Sequence, residues 1–310
     1  MKGLPSAAPS FPFKMIIIIG DGIVYFLEVP RALKLSIITA TYNRPMQLAS
    51  TALPSIQSQT DRNFEWIVIN DGANPDTKDI INSIKAISDF PISYIEMEHP
   101  EPSSGFGLCY ARNLGLDAAG GDIVSYLDDD NSIAPEFVAS MRQYFEQYPN
   151  IRYSMARQQR RRDVIRNGSV VRQGKSFVSP SNCCSLQQLL WQQEIFDSNG
   201  FVHYRSNAPR WNPQFQVFAD YEYLLQCACI WGEGGFGLNN SILVNYIQSS
   251  IGIIGSSNYE QWATELSLIV SNQANYFILQ DNSVEPLEQL VNTYITKGKI
   301  SLTPKAFALL

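Results

Sequence analysis

The sequence predicts an α/β fold with a mostly parallel central sheet and helices on both faces, followed by a helical C-terminal tail. Between about residues 35 and 131, short apolar runs rich in β-branched side chains alternate with segments of helical periodicity. This alternation is typical of parallel strands joined by right-handed crossovers. The chain has 310 residues, which is enough for one large α/β domain or two smaller ones, and we expect one main domain.

The elements of the first half are bounded by turn and capping signals. The predicted strands are residues 35–39, 64–69, 92–95 and 123–127. The predicted helices between them are residues 44–59, 76–87 and 110–119. We expect Pro54 to bend the first helix, Asp76 to cap the second and the glycine pair 120–121 to end the third.

The second half is less regular. The Arg-Asn-Gly-Ser stretch 166–169 lies between two pairs of β-branched residues, which is a strong hairpin signal. Helical patterns are found in residues 185–197, 218–229, 259–280 and 284–295.

These patterns predict an N-terminal extension (1–33), a main domain (34–250) and a helical C-terminal tail (251–310). The extension contains an apolar stretch, 15–27, that is too short to span a bilayer and is interrupted by Asp21. We interpret it as two short strands joined by a Gly-Asp-Gly turn.

The amino-acid composition indicates which kinds of molecule this protein binds and in which compartment it works. The formal net charge is −6 and the pI about 5.0, which argues against nucleic acid as a bulk electrostatic partner. The five cysteines have no zinc-binding spacing and are expected to be reduced thiols of a cytoplasmic protein. The one dense basic run, Arg157 with residues 160–162, is interpreted as a solvated face, with contact to anionic lipid at the inner face of the membrane or to an acidic acceptor left open.

Three consecutive carboxylates, Asp128, Asp129 and Asp130, follow the predicted strand 123–127. Ligands of open α/β sheets bind outside the carboxyl ends of the strands. Because clustered carboxylates repel one another, a hard divalent cation such as Mg²⁺ or Mn²⁺ is expected among them. The alternative is a solvated acidic turn.

Five motifs in order resemble the family 2 glycosyltransferases, which have a GT-A fold. They are residues 36–44, 66–72, 111–113 with 121–122, 127–131 and 219–222. The resemblance implies a metal-dependent inverting transfer of one sugar from a nucleotide-sugar donor, with UDP as the expected carrier, to a hydroxyl of a glycan or lipid-linked acceptor. It assigns residues 34–131 to the half of the domain that binds the nucleotide-sugar and residues 132–250 to the acceptor-side half. The family's usual setting is surface polysaccharide or lipopolysaccharide synthesis.

The resemblance also implies roles for donor-side residues. Thr41 and Tyr42 leave the first strand where a base can stack on an aromatic face. Asp71 leaves the second strand and accepts the imide N–H of uracil, although it is also a good turn residue. Arg112 donates to the diphosphate, unless it is a surface arginine of its helix.

Within the acidic run, Asp130 matches the direct metal ligand, and either Asp129 or Asp128 matches the ribose contact. Asp220 matches the catalytic base, which takes the proton of the acceptor hydroxyl. Ala219 departs from the Glu-Asp pair common in the family, so Glu222 is the fallback, and Asp220 as a mere helix N-cap is the alternative. Three aromatic residues are predicted to face the acceptor or to pack in the core: Trp191, Tyr204 and Trp211.

The sequence supports other functional classes less strongly. The Gly20-Asp21-Gly22 sequence imitates a dinucleotide fingerprint, but Tyr25 replaces the third glycine of that motif. A sugar-nucleotide pyrophosphorylase would need a glycine-rich basic loop where residues 41–44 stand. A non-catalytic nucleotide-sugar or glycan-binding protein on the same fold is the remaining alternative.

Overall fold

A computed structural model describes residues 13–18, 24–29, 32–101, 104–166, 169–250, 252–280 and 284–299. Its contacts define two units, with the boundary between Leu33 and Lys34. The first unit contains β1 (Phe13–Ile18) and β2 (Val24–Val29), which pair antiparallel from Phe13–Val29 to Ile18–Val24. The two short strands are therefore confirmed, whereas the Gly-Asp-Gly turn lies outside the described residues.

The second unit is built on a ten-stranded sheet whose first four strands are parallel. These strands are β3 (Leu35–Tyr42), β4 (Phe64–Asp71), β5 (Ile92–Met97) and β6 (Ile123–Tyr126), in the spatial order β5-β4-β3-β6. The predicted strands and their parallel pairing are confirmed. Apolar side chains on both faces of β3 and β4 are buried, as expected for strands covered on both sides.

The connecting helices follow the predicted pattern with local differences. They are α1 (Pro45–Gln47), a π-helical turn (Leu48–Ala52), α2 (Leu53–Gln57), α3 (Pro75–Lys85) and α4 (Gly107–Ala118). The expected cap of α3 was wrong. Asn74 is the N-cap and accepts the N–H of Thr77 at 3.2 Å, because Pro75 occupies the first helical position and Asp76 lies inside the first turn.

Beyond β6 the sheet becomes mixed. Its remaining strands are β7 (Ser132–Ile133), β8 (Tyr153–Arg166), β9 (Ser169–Gln173), β10 (Phe177–Ser179), β11 (Phe201–Tyr204) and β12 (Phe236–Ser249). The order continues β6-β11-β8-β12-β7, with β9 and β10 also paired to β8. The antiparallel β8–β9 pair confirms the predicted hairpin.

The helices of this region are α5 (Phe137–Gln147), α6 (Leu186–Leu190) and α7 (Ala219–Trp231). The predicted helix 185–197 was too long. Ser185 and Gln188 form a capping box that starts α6, but the helix ends at Leu190, and Gln192 has a left-handed φ of 56°. Helix α7 begins at Ala219, as predicted.

The described part of the C-terminal tail contains four α-helices, of which the last three contribute to the core. They are α8 (Ile253–Ser256), α9 (Tyr259–Ser271), α10 (Phe277–Gln280) and α11 (Glu285–Lys299). One buried apolar cluster joins residues of β3, β4, β6, β8 and β11 to residues of α4, α7, α9 and α11. The α/β class is thus confirmed, and in the part of the chain that is described no helix has the length and apolar character needed to cross a membrane.

The close packing of α4 on β3 yields a stability prediction. A Cβ added at Gly115 would lie 2.4 Å from Cγ2 of Ile38, whereas one added at Gly234 would meet no atom within 4 Å. We expect Gly115→Ala to lower the free energy of unfolding by about 1–3 kcal/mol through overpacking. Urea denaturation beside the control Gly234→Ala measures this difference, and equal midpoints for the two variants would contradict it.

Candidate active site

The carboxyl ends of three parallel strands place the predicted donor-side residues at one edge of the sheet. Tyr42 and Asp71 end β3 and β4 and are directly paired across the two strands. The acidic run 128–130 follows β6, the other neighbour of β3. Residues that are distant in sequence therefore meet where ligands of this class of sheet bind.

Asp129 and Asp130 are held by one residue at the end of β3 and one just after it. The Thr41 hydroxyl donates to Oδ2 of Asp129 at 2.7 Å, and Asp129 is only 4% exposed. Arg44 donates from Nη1 to Oδ2 of Asp130 at 2.9 Å and lies 3.4 Å from Oδ1 of Asp129. The run is therefore an ordered, partly buried cluster rather than a solvated acidic turn.

The acidic cluster carries more negative charge than its neighbours balance. Burial, followed by the charge of Asp130, raises the pKa of Asp129 to about 7. Burial and the charge of Asp128 likewise raise the pKa of Asp130, against the opposing effect of Arg44. A cation placed here would therefore be stabilised.

Asp128 has different partners from its two neighbours. Its Oδ1 accepts from Nη2 of Arg112 at 3.0 Å, and its Oδ2 accepts from Nδ2 of Asn199 at 2.8 Å. The backbone N–H of Asp128 also donates to Oδ1 of Asn199 at 2.7 Å. Asn199 is itself held by Oδ1 of Asp197, which accepts its backbone N–H and its Nδ2 at 2.9 Å each.

Arg112 lies between Asp128 and the predicted base. The arginine is 2% exposed, and its Nη1 donates to Oδ1 of Asp220 at 2.6 Å. Its guanidinium lies 4.3 Å from the centroid of the Trp211 ring. Burial alone would lower the pKa of Arg112, but Asp220 and Asp128 hold it above its usual value. Arg112 is therefore not a surface arginine.

Asp220 is positioned by the first turn of α7. Phe218, not Asp220, is the N-cap of this helix, so the alternative of a mere helix cap is excluded. Besides Arg112, its carboxylate accepts the backbone N–H of Ser198 at 3.3 Å. The side chain is still 29% exposed, which leaves a face open to solvent.

Asp71 is buried against a histidine. Both carboxylate oxygens lie 3.0 Å from Nδ1 of His99, whose ring stacks on Tyr42 with centroids 4.2 Å apart. Burial raises the pKa of Asp71, and the hydrogen bond from His99 opposes that shift. Gly107 at the start of α4 permits this arrangement, because a Cβ there would lie 2.8 Å from Oδ2 of Asp71. Tyr42 keeps 47% of its surface exposed.

The family model described as "Glycosyl transferase family 2" matches residues 36–207, which is more than half of the chain. This chain belongs to glycosyl transferase family 2. The predicted family is thereby confirmed. The match covers every residue predicted to bind the donor or the metal, whereas Trp211, Asp220 and Glu222 lie beyond it.

Curated relatives match a little over a third of this family 2 chain. It is 31% identical over 110 residues to "GalNAc(5)-diNAcBac-PP-undecaprenol beta-1,3-glucosyltransferase" of Campylobacter jejuni subsp. jejuni serotype O:2, covering 36% of this chain and 34% of the relative. It is 32% identical over 115 residues to glycosyltransferase GlyA of Streptococcus pneumoniae serotype 4, covering 37% and 15%. The chain thus spans about a third or less of the lengths of these two relatives.

Solved structures share the fold over most of the chain. S. aureus TarS 1–349 in complex with UDP matches with a TM-score of 0.58 and 15% identity, over 86% of this chain and 71% of that one. The complex of the same protein with UDP-GlcNAc matches with a TM-score of 0.57 at 15% identity, over 85% and 72%. At this level of identity the likeness establishes the GT-A fold, which confirms the predicted fold class.

Glu222, the fallback base, belongs to a different environment. Its carboxylate accepts the Tyr276 hydroxyl at 2.8 Å and Nε2 of Gln226 at 2.7 Å. The side chain is buried, and burial raises its pKa. Glu222 therefore links α7 to the C-terminal helices, whereas Asp220 on the same helix contacts Arg112.

The three candidate acceptor aromatics do not form a common surface. Trp211 is buried and stacks on Tyr223 with centroids 3.9 Å apart. Tyr204 pairs with Ile123, at the start of β6, and so lies at the edge opposite the acidic run. Trp191 is partly buried against the core. For these residues the core-packing interpretation fits the structure better.

The C-terminal tail supplies a buried acceptor for the start of α7. Oε2 of Glu265, on α9, accepts the backbone N–H groups of three consecutive residues at 2.8–3.0 Å: Gln216, Val217 and Phe218. Phe218 has no side chain able to cap the helix, so Glu265 satisfies donors that would otherwise be unpaired. Helix α9 thereby fixes the helix that carries Asp220.

Several residues of this site were not found from the sequence, among them Arg44, His99, Asn199 and Glu265. The sequence contained a signal for two of them. Arg44 lies within the first motif, and His99, one of only two histidines, follows the third predicted strand. Asn199 and Glu265 had none, since their partners lie 71 and 47 residues away.

The Glu265 cap leads to a stability prediction. Glu265→Ala leaves three backbone donors without their acceptor, so we expect a loss of about 1–3 kcal/mol in the free energy of unfolding. Glu265→Gln keeps one side-chain acceptor oxygen and should lose less. Urea denaturation compares both with Glu260→Ala, an exposed glutamate on the same helix. A loss for Glu260→Ala as large as that for Glu265→Ala would contradict the capping role.

Proposed function

We propose that this family 2 chain transfers a single sugar, with inversion, from a UDP-sugar to a hydroxyl of an acceptor. The observation that carries the proposal is the Arg112 bridge, which holds Asp220 beside Asp128 of the acidic run. The proposed base and the start of the acidic run are thereby fixed relative to each other. The TarS structures with UDP and UDP-GlcNAc support the choice of UDP as the carrier.

In this proposal Asp220 is the catalytic base. Its carboxylate takes the proton of the acceptor hydroxyl while the hydroxyl oxygen bonds to the anomeric carbon. The bond from that carbon to the diphosphate breaks on the opposite face, so the configuration inverts and UDP leaves. Arg112 and the N–H of Ser198 orient the carboxylate, and its exposed face is where the acceptor approaches.

The uracil is proposed to bind at Tyr42 and Asp71. The exposed ring of Tyr42 offers a stacking surface. Asp71 has about four acceptor sites, so it accepts the uracil imide N–H in addition to the hydrogen bond from His99. Thr41 orients Asp129 beside this site, and Arg112 neutralises charge near the diphosphate. Of the two ribose candidates we propose Asp129, because the side chain of Asp128 is already held by Arg112 and Asn199.

A divalent ion, Mn²⁺ or Mg²⁺, fits the acidic cluster. Asp130 would hold it, since this hard oxygen donor lies in a cluster whose excess negative charge favours a cation. Among the described residues no group of three or more His, Cys, Asp or Glu side chains is arranged as a metal site. An ion here would therefore take other ligands from the donor phosphates, and it would neutralise charge on the leaving diphosphate.

The acceptor is proposed to be a glycan or a lipid-linked glycan of surface polysaccharide or lipopolysaccharide synthesis, on the cytoplasmic side of the membrane. The name of the Campylobacter relative, which describes a glucosyltransferase acting on an undecaprenol-linked saccharide, supports this proposal.

The metal and donor assignments predict the outcome of a titration. Calorimetric titration of UDP should give binding in the presence of Mn²⁺ and none with EDTA, because the ion screens the diphosphate from the carboxylates. Asp130→Ala should abolish the Mn²⁺-dependent binding, whereas Asp117→Ala, an exposed carboxylate paired with Arg210, should retain it. Binding that is insensitive to both EDTA and Asp130→Ala would contradict the metal site, and failure to bind UDP, GDP or dTDP would contradict the donor site.

The assignment of Asp220 as the base predicts that a change there lowers turnover without weakening the binding of UDP. Asp220→Asn should lower kcat by about 10²–10⁴-fold, because the amide cannot take the proton, while UDP binding stays unchanged. The rate of UDP release from UDP-sugars with a panel of glycan acceptors measures turnover. Glu222→Gln is the control and should keep most of the activity. If turnover instead depended on Glu222 and survived Asp220→Asn, the assignment would be reversed.

A further inference from the structure

A basic arm, formed by the described residues between 160 and 177, lies within the mixed part of the sheet, at the end of β8. It comprises the outer half of β8, all of β9 and the first residue of β10. Residues 160–177 contain six Lys or Arg and one Asp, a net charge of +5 in a chain whose net charge is −6. Positive charge is thus concentrated in one segment of an acidic protein.

The strand register places the arm on the same side as the active site. Strand β11 is antiparallel to both β6 and β8, so β6 and β8 run in the same direction. Val202 pairs with Ser125 of β6 and with Ser154 of β8, which brings Gln158 level with Asp129. At about 3.3 Å per residue, the strand from Gln158 to Arg166 extends about 25 Å beyond the acidic run.

The arm also exposes apolar side chains. All five residues of β9 are exposed, and Val170 and Val171 show 49% and 55% of their surface. Phe177 at the start of β10 is 37% exposed and lies under the guanidinium of Arg162, 5.9 Å from the ring centroid. A hairpin that faced only water would have no use for two adjacent exposed valines among its cationic side chains.

Three of the six cationic side chains of the arm are exposed, and the other three are buried or partly buried. Asp163 is buried and pairs with Arg161 at 2.9 Å. Arg166, Arg172 and Lys175 are exposed, and none of them forms an ion pair within the described residues. Cationic residues at the surface combined with short apolar side chains match the requirements of an anionic lipid surface.

We propose that the basic arm binds the surface of an anionic lipid membrane and thereby sets the carboxyl edge of the sheet against that membrane. The charges attract the phosphate headgroups, and Val170 and Val171 enter the headgroup region. An acidic polymer would use the charges alone, so the exposed valines favour the lipid surface. The proposal does not depend on the transfer reaction, since binding to a membrane requires no donor.

Vesicle flotation of the full chain tests the proposal. Vesicles of phosphatidylcholine with about 30% phosphatidylglycerol should bind the protein at about 0.1 M salt, and vesicles of phosphatidylcholine alone should not. The triple variant Arg166→Gln, Arg172→Gln, Lys175→Gln should lose about tenfold or more of the partitioning. The matched control removes three exposed lysines elsewhere, Lys78→Gln, Lys85→Gln and Lys299→Gln, and should bind as the unmodified chain does.

The double variant Val170→Ser, Val171→Ser distinguishes binding to a lipid surface from binding to an acidic polymer. It should weaken vesicle binding at fixed charge while leaving UDP binding unchanged, which also shows that the protein remains folded. The proposal is overturned if anionic vesicles do not bind, or if the control triple loses as much binding as the arm triple. Binding to a soluble acidic polymer such as polyphosphate, with no effect of the valine changes on either ligand, would also overturn it.

Discussion

The site depends on one buried cation, the guanidinium of Arg112, shared by Asp128 and Asp220. The two carboxylates come from elements 92 residues apart in sequence, and both contact the same side chain. The arginine would be expensive to bury alone, and the two partly exposed carboxylates compensate its charge. Removing the arginine would leave two uncompensated carboxylates close together, so the positions of the donor side and the base side are tied to a single residue of α4.

The acidic run is divided between two environments. Asp128 contacts residues of the later part of the chain, Arg112 and Asn199, whereas Asp129 contacts Thr41 at the end of β3. The chain has left β6 before Asp128 and turns at Asp129 and Asp130, so neighbours in sequence acquire different partners. Arg44 balances only part of the remaining charge, and burial keeps the pKa of Asp129 near 7.

Much of the fold and of the donor side was predictable because the signals are local. Strands β3 to β6 are short apolar runs with clear ends, and parallel pairing brings those ends to one edge, which located Tyr42, Asp71 and the acidic run correctly at that edge. The direction of Arg112 was not predictable, because a helix position does not reveal which neighbours reach it. The early end of α6 and the Asn74 cap were mispredicted although both depend on neighbouring residues. Asn199 and Glu265, by contrast, act only through tertiary contacts.

The capping of α7 by Glu265 has a consequence for how the protein is made. During synthesis the donor-side strands and Asp220 leave the ribosome before α9 exists, so the amides of residues 216–218 have no acceptor at that stage. A nascent chain therefore holds the groups proposed to bind the nucleotide before the base helix is secured. The base helix is therefore capped by an element that is synthesised later and that lies outside the matched family region.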